Sequence, residues 1–373
     1  MPKPRYEVTD RFVLHAGYAC NARCAFCYYL EDLRRGTVKN SSTAQNKRKI
    51  RFAHAFGKRA IDISGGEPTI RKDLPELISF CRQTGYRTIN IITNGIVTSD
   101  AAYCATLQQS GLSEALFSIH SHDAAVHDRL TGVPGSYRNI IQSIENFSAL
   151  GMPVRINTVI TNTNYGEIDR FLASVHAWQP ATVNLIVFNP SETAVHVETN
   201  GPVRFSDYHA IGDAISSALD VWKDRFSMIN VRFLPFCLLR RHPDAVRTQW
   251  QKFHEAQEWD PFLNVLFQKG AVKALAALSA GVFCPGTAPA FSFRRFDTLL
   301  GKLLSNFRIK YYYRQNEECR RCDVSPICTG FQKDYVQKCG FPGNARITVA
   351  NAKITDPLFF VKQPKYKLIF PCL

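Results

Sequence analysis

The sequence has no long hydrophobic run and no apolar segment of the kind that begins a secreted protein. Its most apolar stretch, ALAALSAGVF, has ten residues, whereas a membrane-spanning helix needs about 18 or more. Low-complexity segments and internal repeats are absent too, apart from an alternation of strands and helices. A soluble, cytoplasmic protein without a membrane partner is therefore expected.

Acidic residues are scarce relative to basic ones. Against 31 Asp and Glu residues stand 46 Lys and Arg residues, which leaves a net charge of +15. This surplus of positive charge favours an anionic ligand or partner, such as a nucleotide, a phosphorylated substrate, an acidic peptide or an acidic electron-transfer protein. The densest basic run, residues 46–59, has Ile50, Ala53 and Phe56 on one helical face. We interpret it as the solvated surface of a helix.

Cysteine, in contrast, is plentiful, with 12 residues in a chain of 373. A cytosolic compartment keeps thiols reduced, so these residues favour metal ligands or buried thiols over a disulfide framework. Cys81 and Cys104 lie within helical patterns and are expected to be buried as small apolar residues. The other cysteines include two groups of three, which carry most of the functional argument.

Buried strands alternate with amphipathic helices in the first half of the chain. Apolar or β-branched runs predict strands at residues 11–16, 60–64, 88–93, 114–119, 154–161 and 183–188, with a seventh at 228–236. Runs that are apolar on both faces indicate a parallel sheet covered by helices. The predicted fold class is α/β, a partial (βα)6-type TIM barrel followed by a small cysteine-rich C-terminal subdomain.

The alternation loosens after residue 189, where helices are predicted at residues 205–224 and 245–259. It stops near residue 240, and the chain then becomes rich in basic, aromatic and cysteine residues. We therefore predict three parts: a barrel over residues 1–236, a helical linker and cysteine-rich domain over residues 237–340, and a C-terminal extension over residues 341–373. The sequence assigns no function to the extension.

The first cysteine group, Cys20, Cys24 and Cys27, directly follows the first predicted strand. It therefore belongs to a loop at the carboxyl end of that strand, where barrel active sites form. Three thiolates can bind three irons of a [4Fe-4S] cluster and leave the fourth iron open to a cofactor or substrate. A structural zinc site that uses His15 or His54 as its fourth ligand is the alternative.

The spacing CNARCAFC, with Phe26 before the last cysteine, resembles the cluster motif of the radical S-adenosylmethionine (SAM) superfamily. A second segment agrees, because Gly65, Gly66, Glu67 and Pro68 after the second strand resemble its Gly-Gly-Glu-Pro element. The resemblance covers about residues 10–235 and implies that this element binds the amino group of SAM. Glycines would let the backbone approach the ligand; the alternative is a plain turn.

The fourth predicted strand carries a further part of the resemblance. LFSIHSHDAAVHDRLTG is similar to a segment of peptide-modifying members, which implies that Ser118 and Arg129 hold the SAM carboxylate. An arginine fork suits a carboxylate because it offers two parallel hydrogen bonds. His120 stands where those relatives commonly carry Asp, so the substrate-facing side of this strand departs from their pattern.

Histidines and an asparagine at the ends of predicted strands are further candidates for the lining of the pocket. Strand alternation predicts that His120 and His122 share the face of Ser118, and we interpret them, with nearby His127, as polar pocket lining rather than a metal site. Asn94 at the end of the third strand is expected to line the cofactor pocket. An Asn-Gly turn would account for it equally well.

The second cysteine group, Cys319, Cys322 and Cys328, resembles the C-terminal arrangement of SPASM and twitch subdomains. This implies an auxiliary [4Fe-4S] cluster in an iron–sulfur subdomain. Gln332 occupies the place of a further SPASM cysteine, so one auxiliary cluster is expected rather than two. A zinc ribbon is the alternative, because the spacing also suits zinc.

A closed auxiliary cluster needs a fourth ligand, for which we prefer Cys237. It ends the seventh predicted strand and would project from the carboxyl rim of the barrel. The sequence FLPFC followed by EWD is also reminiscent of one radical SAM subgroup with this tail. Cys284 and, more weakly, Cys339 are the rivals.

The resemblance implies an enzyme that cleaves SAM reductively and takes a hydrogen atom from a small-molecule or peptide substrate, in natural-product, cofactor or peptide maturation. It also implies a flavodoxin- or ferredoxin-type electron donor, and it assigns no acid–base catalytic residue. The charge of +15 supports an alternative, a tRNA- or RNA-modifying iron–sulfur protein, although no appended RNA-binding module is evident. A non-catalytic, zinc-stabilised barrel is the other alternative.

Overall fold

The computed structural model of the chain describes residues 9–27, 29, 36, 40–189, 203, 207–283, 296–343, 346–349 and 352–361. The strands of its main sheet are β1 (Arg11–Gly17), β2 (Ala60–Gly65), β3 (Thr88–Thr93), β4 (Glu114–Ser118), β5 (Val154–Ile160), β6 (Thr182–Val187), β7 (Ile229–Arg232) and β8 (Val246–Arg247). They follow one another in the sheet in sequence order, so that β1 and β8 are its edges. The sheet confirms the predicted partial TIM barrel.

Helices fill the connections, as a parallel sheet requires. Those of the first half are α1 (Thr43–Ala55), α2 (Leu74–Thr84), α3 (Ala101–Ser110), α4 (Ala124–Thr131), α5 (Ser136–Ala149) and α6 (Ile168–His176). The second half contains α7 (Tyr208–Trp222), α8 (Gln249–Phe253), α9 (Pro261–Lys269), α10 (Ala271–Val282), α11 (Phe296–Tyr312), α12 (Glu317–Arg321) and α13 (Lys333–Cys339). A short antiparallel pair, β9 (Tyr313–Arg314) and β10 (Phe331–Gln332), lies among the last helices.

The chain divides into two compact units. The barrel unit comprises residues 12–206 and 217–230, and the C-terminal unit comprises residues 1–11, 207–216 and 231–373. In the part of the chain that the structure describes, no helix is both long and apolar enough to cross a membrane. The predicted division into three parts stays a prediction.

In the barrel unit the two faces of the sheet have different surroundings. Phe117 of β4 packs edge-on against Phe147 of α5, with ring centroids 5.2 Å apart, and both are fully buried. Side chains alternate along a strand, so Leu116 and Ser118 point to the opposite, inner face. Cys81 of α2 and Cys104 of α3 are fully buried, which confirms their predicted role as core residues.

The chain leaves β4 through a turn that starts α4. The Asp123 carboxylate accepts a hydrogen bond from the backbone N–H of Val126 and so caps the helix. The strand ends at Ser118, two residues before His120. The prediction that strand alternation sets the orientation of His120 and His122 was therefore wrong, because both residues lie in the connection that leads to this cap.

In the C-terminal unit, the predicted helix over residues 245–259 was wrong. Val246 and Arg247 instead form β8, paired in parallel with Val231 and Arg232, and only Gln249–Phe253 is helical. The tertiary pairing outweighs the helical pattern of the sequence. The seventh strand is also shorter than predicted, since it ends at Arg232 and is followed by Phe233 in a left-handed conformation (φ 65°).

Candidate active site

The loop that carries the first cysteine group is attached to the end of β2. The backbone N–H groups of Gly66 and Glu67 donate to the carbonyls of Gly17 and Ala19 at 2.8 and 2.9 Å. A Cβ atom on Gly66 would lie 2.2 Å from the Ala19 carbonyl oxygen. The close approach that requires a glycine here is therefore that of the cysteine-loop backbone.

The same loop is attached to the end of α4. Arg23 and Ala25 donate backbone hydrogen bonds to the carbonyls of Thr131 and Leu130 at 2.8 and 3.0 Å. Between the last two cysteines, Phe26 is 7% exposed and belongs to a buried apolar cluster with Leu130, Phe188 and Val203. Phe26 thus holds the loop down by packing, while the cysteines on either side of it remain accessible.

The three thiols face partly to solvent and lie close to one another. Cys20 is exposed, and Cys24 and Cys27 are half-buried free thiols. Burial raises the pKa of Cys24 to about 12, and charge on Cys27 and Cys20 acts in the same direction. A positively charged metal cluster would reverse this effect, because coordination deprotonates a thiol. The donor set therefore fits an iron–sulfur cluster with three protein ligands.

The Glu67 side chain is buried, and neighbouring residues bind both of its carboxylate oxygens. Its Oε1 accepts hydrogen bonds from the backbone N–H and hydroxyl of Thr69 and from the hydroxyl of Thr93, at 2.6–3.0 Å. Its Oε2 accepts from the backbone N–H of Asn94 at 2.7 Å. Burial raises the pKa of this carboxyl, and the donors oppose that shift. The carboxylate holds the ends of β2 and β3 together.

Asn94 links this region to the cysteine loop. Its Nδ2 donates to the side-chain oxygen of Asn21 at 2.8 Å, and its own Oδ1 accepts from the backbone N–H of Ile96 at 3.0 Å. The residue therefore both forms the expected Asn-Gly turn and reaches the motif between Cys20 and Cys24. Pro68, the last residue of the Gly-Gly-Glu-Pro segment, is buried and begins a short 3₁₀ turn.

A row of asparagines continues from Ser118 along the inner face of the sheet. Ser118 lies opposite Asn157 in the register of β4 and β5, and Asn157 lies opposite Asn184 of β6. Asn184 donates to Asn157 at 2.8 Å, and Asn230 donates to Asn184 at 3.1 Å. Sequence reasoning missed these three residues. A single asparagine inside each apolar run, VRINTVI, TVNLIV and MINVR, was the available signal.

The proposed carboxylate ligand Arg129 lies in the last turn of α4 and is exposed. His120, by contrast, is 4% exposed and packs edge-on against Phe26 at 4.6 Å. Its Nδ1 accepts the backbone N–H of Val159 at 3.2 Å. Burial, and secondly the neighbouring His127, lowers the pKa of His120 well below its usual value. His120 is therefore a neutral residue of the packed interior behind the cysteine loop.

The second cysteine group surrounds a small cavity in the C-terminal unit. The cavity is lined by Cys237, Cys319, Cys322 and Cys328, together with Pro235, Gln315, Val324, Ser325, Gly330, Phe331 and Arg346. Cys237 lies in a short 3₁₀ turn, Phe236–Leu238, that follows β7. The structure thus brings the preferred fourth cysteine together with the other three. Cys284 lies outside the described residues.

Backbone N–H groups donate to two of the sulfur atoms of this cavity. Gly330 donates to the Cys328 sulfur at 3.4 Å and Ile347 to the Cys322 sulfur at 3.2 Å. Burial raises the pKa of Cys328 to about 12, and it raises that of Cys237 as well; charge on the other cavity thiols adds to both shifts. Clustered thiols can ligate an iron–sulfur cluster, and N–H groups that donate to sulfur tune its potential. The residues present therefore fit such a cluster.

Local structure sets the spacing of these ligands. The side chain of Asn316 accepts the backbone N–H of Cys319 and begins α12. Gly330 has φ +81°, and a Cβ atom there would lie 2.4 Å from the Arg314 carbonyl oxygen, which explains the glycine beside Cys328. Within the described ranges, no three His, Cys, Asp or Glu side chains converge as ligands of one metal ion would. In a cubane cluster each thiolate binds a different iron.

Comparisons with known proteins agree with this geometry. Residues 15–175 match the model of the Radical SAM superfamily. A probable GTP 3′,8-cyclase of Sulfolobus acidocaldarius is 30% identical over 174 residues, which are 46% of this chain and 54% of that protein. The chain thus spans about half the length of the curated relatives it matches.

Solved structures extend the likeness of fold to the rest of the chain. SuiB of Streptococcus suis is similar with a TM-score of 0.58 at 16% identity, over 92% of this chain and 77% of SuiB. anSMEcpe with bound AdoMet and Cp18Cys peptide is similar with a TM-score of 0.53 at 12% identity, over 97% of this chain and 95% of that one. The sequence match identifies residues 15–175 as a Radical SAM domain. The solved structures share the fold of the chain, and a cysteine-rich region follows the domain.

Proposed function

We propose that the protein is a radical SAM enzyme that cleaves S-adenosylmethionine reductively and removes a hydrogen atom from a small-molecule or peptide substrate, in natural-product, cofactor or peptide maturation. When bound, the [4Fe-4S] cluster and SAM supply a 5′-deoxyadenosyl radical for this reaction. The protein supplies placement of the reactants and exclusion of water, so no residue is assigned as an acid or a base.

One observation carries the proposal: the loop with Cys20, Cys24 and Cys27 is hydrogen-bonded to the Gly-Gly-Glu-Pro segment through Gly66 and Glu67. Two motifs that are distant in sequence therefore form one site at the carboxyl end of neighbouring strands. Three thiolates would bind three irons, which leaves the fourth iron for the cofactor. If the three cysteines bound a structural zinc ion instead, the Gly-Gly-Glu-Pro segment beside them would have no explanation.

The cofactor would lie against the residues that follow β2, β3 and β4. Gly65, Gly66 and the backbone around Glu67 face its amino group in this proposal, and Ser118 with Arg129 holds its carboxylate. Asn94 would line the same pocket. Asn157 is half-buried directly beside Ser118 in the register, so it offers a further polar contact at the same level of the sheet.

The C-terminal cavity would hold one auxiliary [4Fe-4S] cluster. Its four cysteines, Cys237, Cys319, Cys322 and Cys328, are enough to ligate all four irons. A fully ligated cluster has no open iron for a substrate, so we assign this site to electron transfer or to structural support. The substrate is then bound by other residues of the protein.

The substrate and partners follow from charge and from the named relatives. The net charge of +15 favours an anionic substrate and an acidic flavodoxin- or ferredoxin-type electron donor. The relatives' names include a nucleotide cyclase, and a structural neighbour contains a bound peptide. A cytoplasmic location is proposed because the described cysteines are free thiols.

The test is production of 5′-deoxyadenosine by anaerobically reconstituted protein with SAM and dithionite. A nucleotide and a set of peptides are added in turn, and chromatography with mass spectrometry follows both the nucleoside and the additive. An additive that is a substrate should raise the amount of 5′-deoxyadenosine above that formed without any additive. The additive should itself change in mass. No 5′-deoxyadenosine under any condition, with the cluster intact, would refute the proposal.

A further inference from the structure

A short stretch of the C-terminal extension lies against the second cysteine group. The backbone N–H of Asp323 donates to the carbonyl of Ile347 at 2.9 Å, and the Asp323 carboxylate accepts the N–H of Val349 at 2.8 Å. Ile354 in turn donates its N–H to the Asp323 carbonyl at 2.8 Å. We call residues 346–349 and 352–354 the strap; it is fixed at the residue that follows Cys322.

The strap reaches the cavity itself. The N–H of Ile347 is 3.2 Å from the Cys322 sulfur, and Arg346 lines the cavity with the four cysteines. Lys353 also binds the backbone of the same cysteine, because its Nζ donates to the Cys322 carbonyl at 2.7 Å and to that of Arg320 at 2.6 Å. The extension therefore supplies part of the wall of the cavity and one of its donors to sulfur.

The charge of Arg346 distinguishes it from the other residues of this wall. Among the described residues that line the cavity, it alone carries a positive charge. A guanidinium stays protonated at any pH of interest. Adding an electron to a cluster held by four thiolates increases negative charge in a partly buried place, so a nearby cation and N–H donors to sulfur favour the reduced form.

We propose that the strap completes the auxiliary site and that Arg346 raises the reduction potential of the group bound there. The inference rests on the proposed function, since it takes the cavity to hold an iron–sulfur cluster. It gives the C-terminal extension a role: residues far from the cysteines in sequence set how readily the auxiliary group accepts an electron. Because Arg346 is exposed, solvent weakens its influence and the expected effect is moderate.

The test uses the full chain with Cys20, Cys24 and Cys27 changed to Ala, so that only the auxiliary cluster remains. Arg346→Gln and Arg346→Lys are compared with Arg321→Gln. Arg321 is a matched control because it is an exposed arginine on α12, ion-paired with Glu317 at 2.6 Å and absent from the cavity wall. Each variant is poised anaerobically at a series of potentials, and the reduced fraction is followed by EPR.

At a fixed potential, Arg346→Gln is expected to lower the ratio of reduced to oxidised cluster by about threefold to tenfold, equivalent to a shift of about 28 to 59 mV for one electron. Arg346→Lys should lie between this variant and the native side chain, and Arg321→Gln should not shift. If Arg346→Gln loses iron, Arg346→Met takes its place, because it also removes the charge and keeps an unbranched side chain. A midpoint in the neutral Arg346 variant equal to that of Arg321→Gln would overturn the inference alone. Absence of iron from the parent variant would overturn the auxiliary cluster, and the inference with it.

Discussion

The backbone N–H of Gly66 donates a hydrogen bond of 2.8 Å to the carbonyl of Gly17, at the entrance to the cysteine loop. The cluster-binding loop and the Gly-Gly-Glu-Pro segment are therefore parts of one structure. The position of the thiols depends on residue 66 having no side chain, since a Cβ atom there would lie 2.2 Å from the Ala19 oxygen.

Replacing Gly66 with Ala should displace the loop and lower occupancy of the first cluster. We expect up to half of about eight irons per chain to be lost and 5′-deoxyadenosine formation to fall about 100-fold, because small misplacements of reacting groups cost about that much. Iron analysis and a SAM-cleavage assay measure both. Gly166→Ala is the control, as no heavy atom lies within 4 Å of its added Cβ. Full activity in Gly66→Ala would contradict this reading of the segment.

The auxiliary site predicts a specific role for Cys237. Cys237→Ala removes one of the four thiols of the cavity, so cluster content should fall or the EPR signal should change. Cys339→Ala is the matched control, because Cys339 is an exposed thiol outside the cavity wall. Cys284→Ala is expected to behave like this control. An altered signal in Cys284→Ala with an unchanged one in Cys237→Ala would make Cys284 the fourth ligand.

The role proposed for Arg129 is testable through SAM affinity. If its guanidinium holds the SAM carboxylate, Arg129→Ala loses charged hydrogen bonds worth roughly 1.5 to 3 kcal/mol, and binding should weaken by about one to two orders of magnitude. Arg129→Lys should fall between. Anaerobic titration with SAM, followed by the EPR signal of the cluster, measures the affinity. Arg138→Ala changes another exposed arginine, on α5, and should bind normally. Native affinity in Arg129→Ala would show that the carboxylate is held elsewhere.

His120 should matter for stability. In His120→Phe the backbone N–H of Val159 loses its acceptor, which should cost about 1 to 3 kcal/mol of the free energy of unfolding. His122→Phe is the control, because its side chain is 23% exposed, and it should change stability by less than about 0.5 kcal/mol. Urea denaturation of the metal-free proteins measures both. Equal stability of the two variants would contradict the buried role.

The same residue predicts the direction of a pH effect. The pKa of His120 is lowered in the folded protein, whereas in the unfolded chain it has its ordinary value of about 6.5. Below about pH 6.5 the unfolded chain therefore binds more protons than the folded protein. The stability that neutral His120 contributes is therefore present above about pH 6.5 and lost as the pH falls below it. The His120→Phe variant should show a shallower loss over this window than the native protein.

The features of the fold that depend on local sequence pattern could be predicted from the sequence. Strands β1 to β6 were found from apolar runs, and the cysteine spacing located both cysteine groups. β8 was missed because Val246 and Arg247 form a strand only through their pairing with Val231 and Arg232, a contact between distant parts of the chain. His120 was misplaced because the pattern did not show that β4 ends before it.

The structure adds contacts within the Gly-Gly-Glu-Pro segment that the sequence did not show. Gly66 was expected to approach a ligand, and in the structure a Cβ atom there would also meet the carbonyls of Tyr18 and Ala19. Glu67 belongs to the segment that was expected to bind the amino group of SAM, and the structure adds that its oxygens accept hydrogen bonds from Thr69, Thr93 and Asn94. The asparagine row and the strap depend on contacts between remote segments, which composition and spacing do not show.

The central claim is that Cys20, Cys24 and Cys27 bind a [4Fe-4S] cluster that cleaves SAM. Its most direct test is the triple Cys→Ala variant at these positions, reconstituted anaerobically and compared with the native protein and with Cys339→Ala. The account predicts about eight irons in both of these proteins and about four in the triple variant, which should form no 5′-deoxyadenosine from SAM and dithionite. A triple variant that still makes 5′-deoxyadenosine would contradict the account.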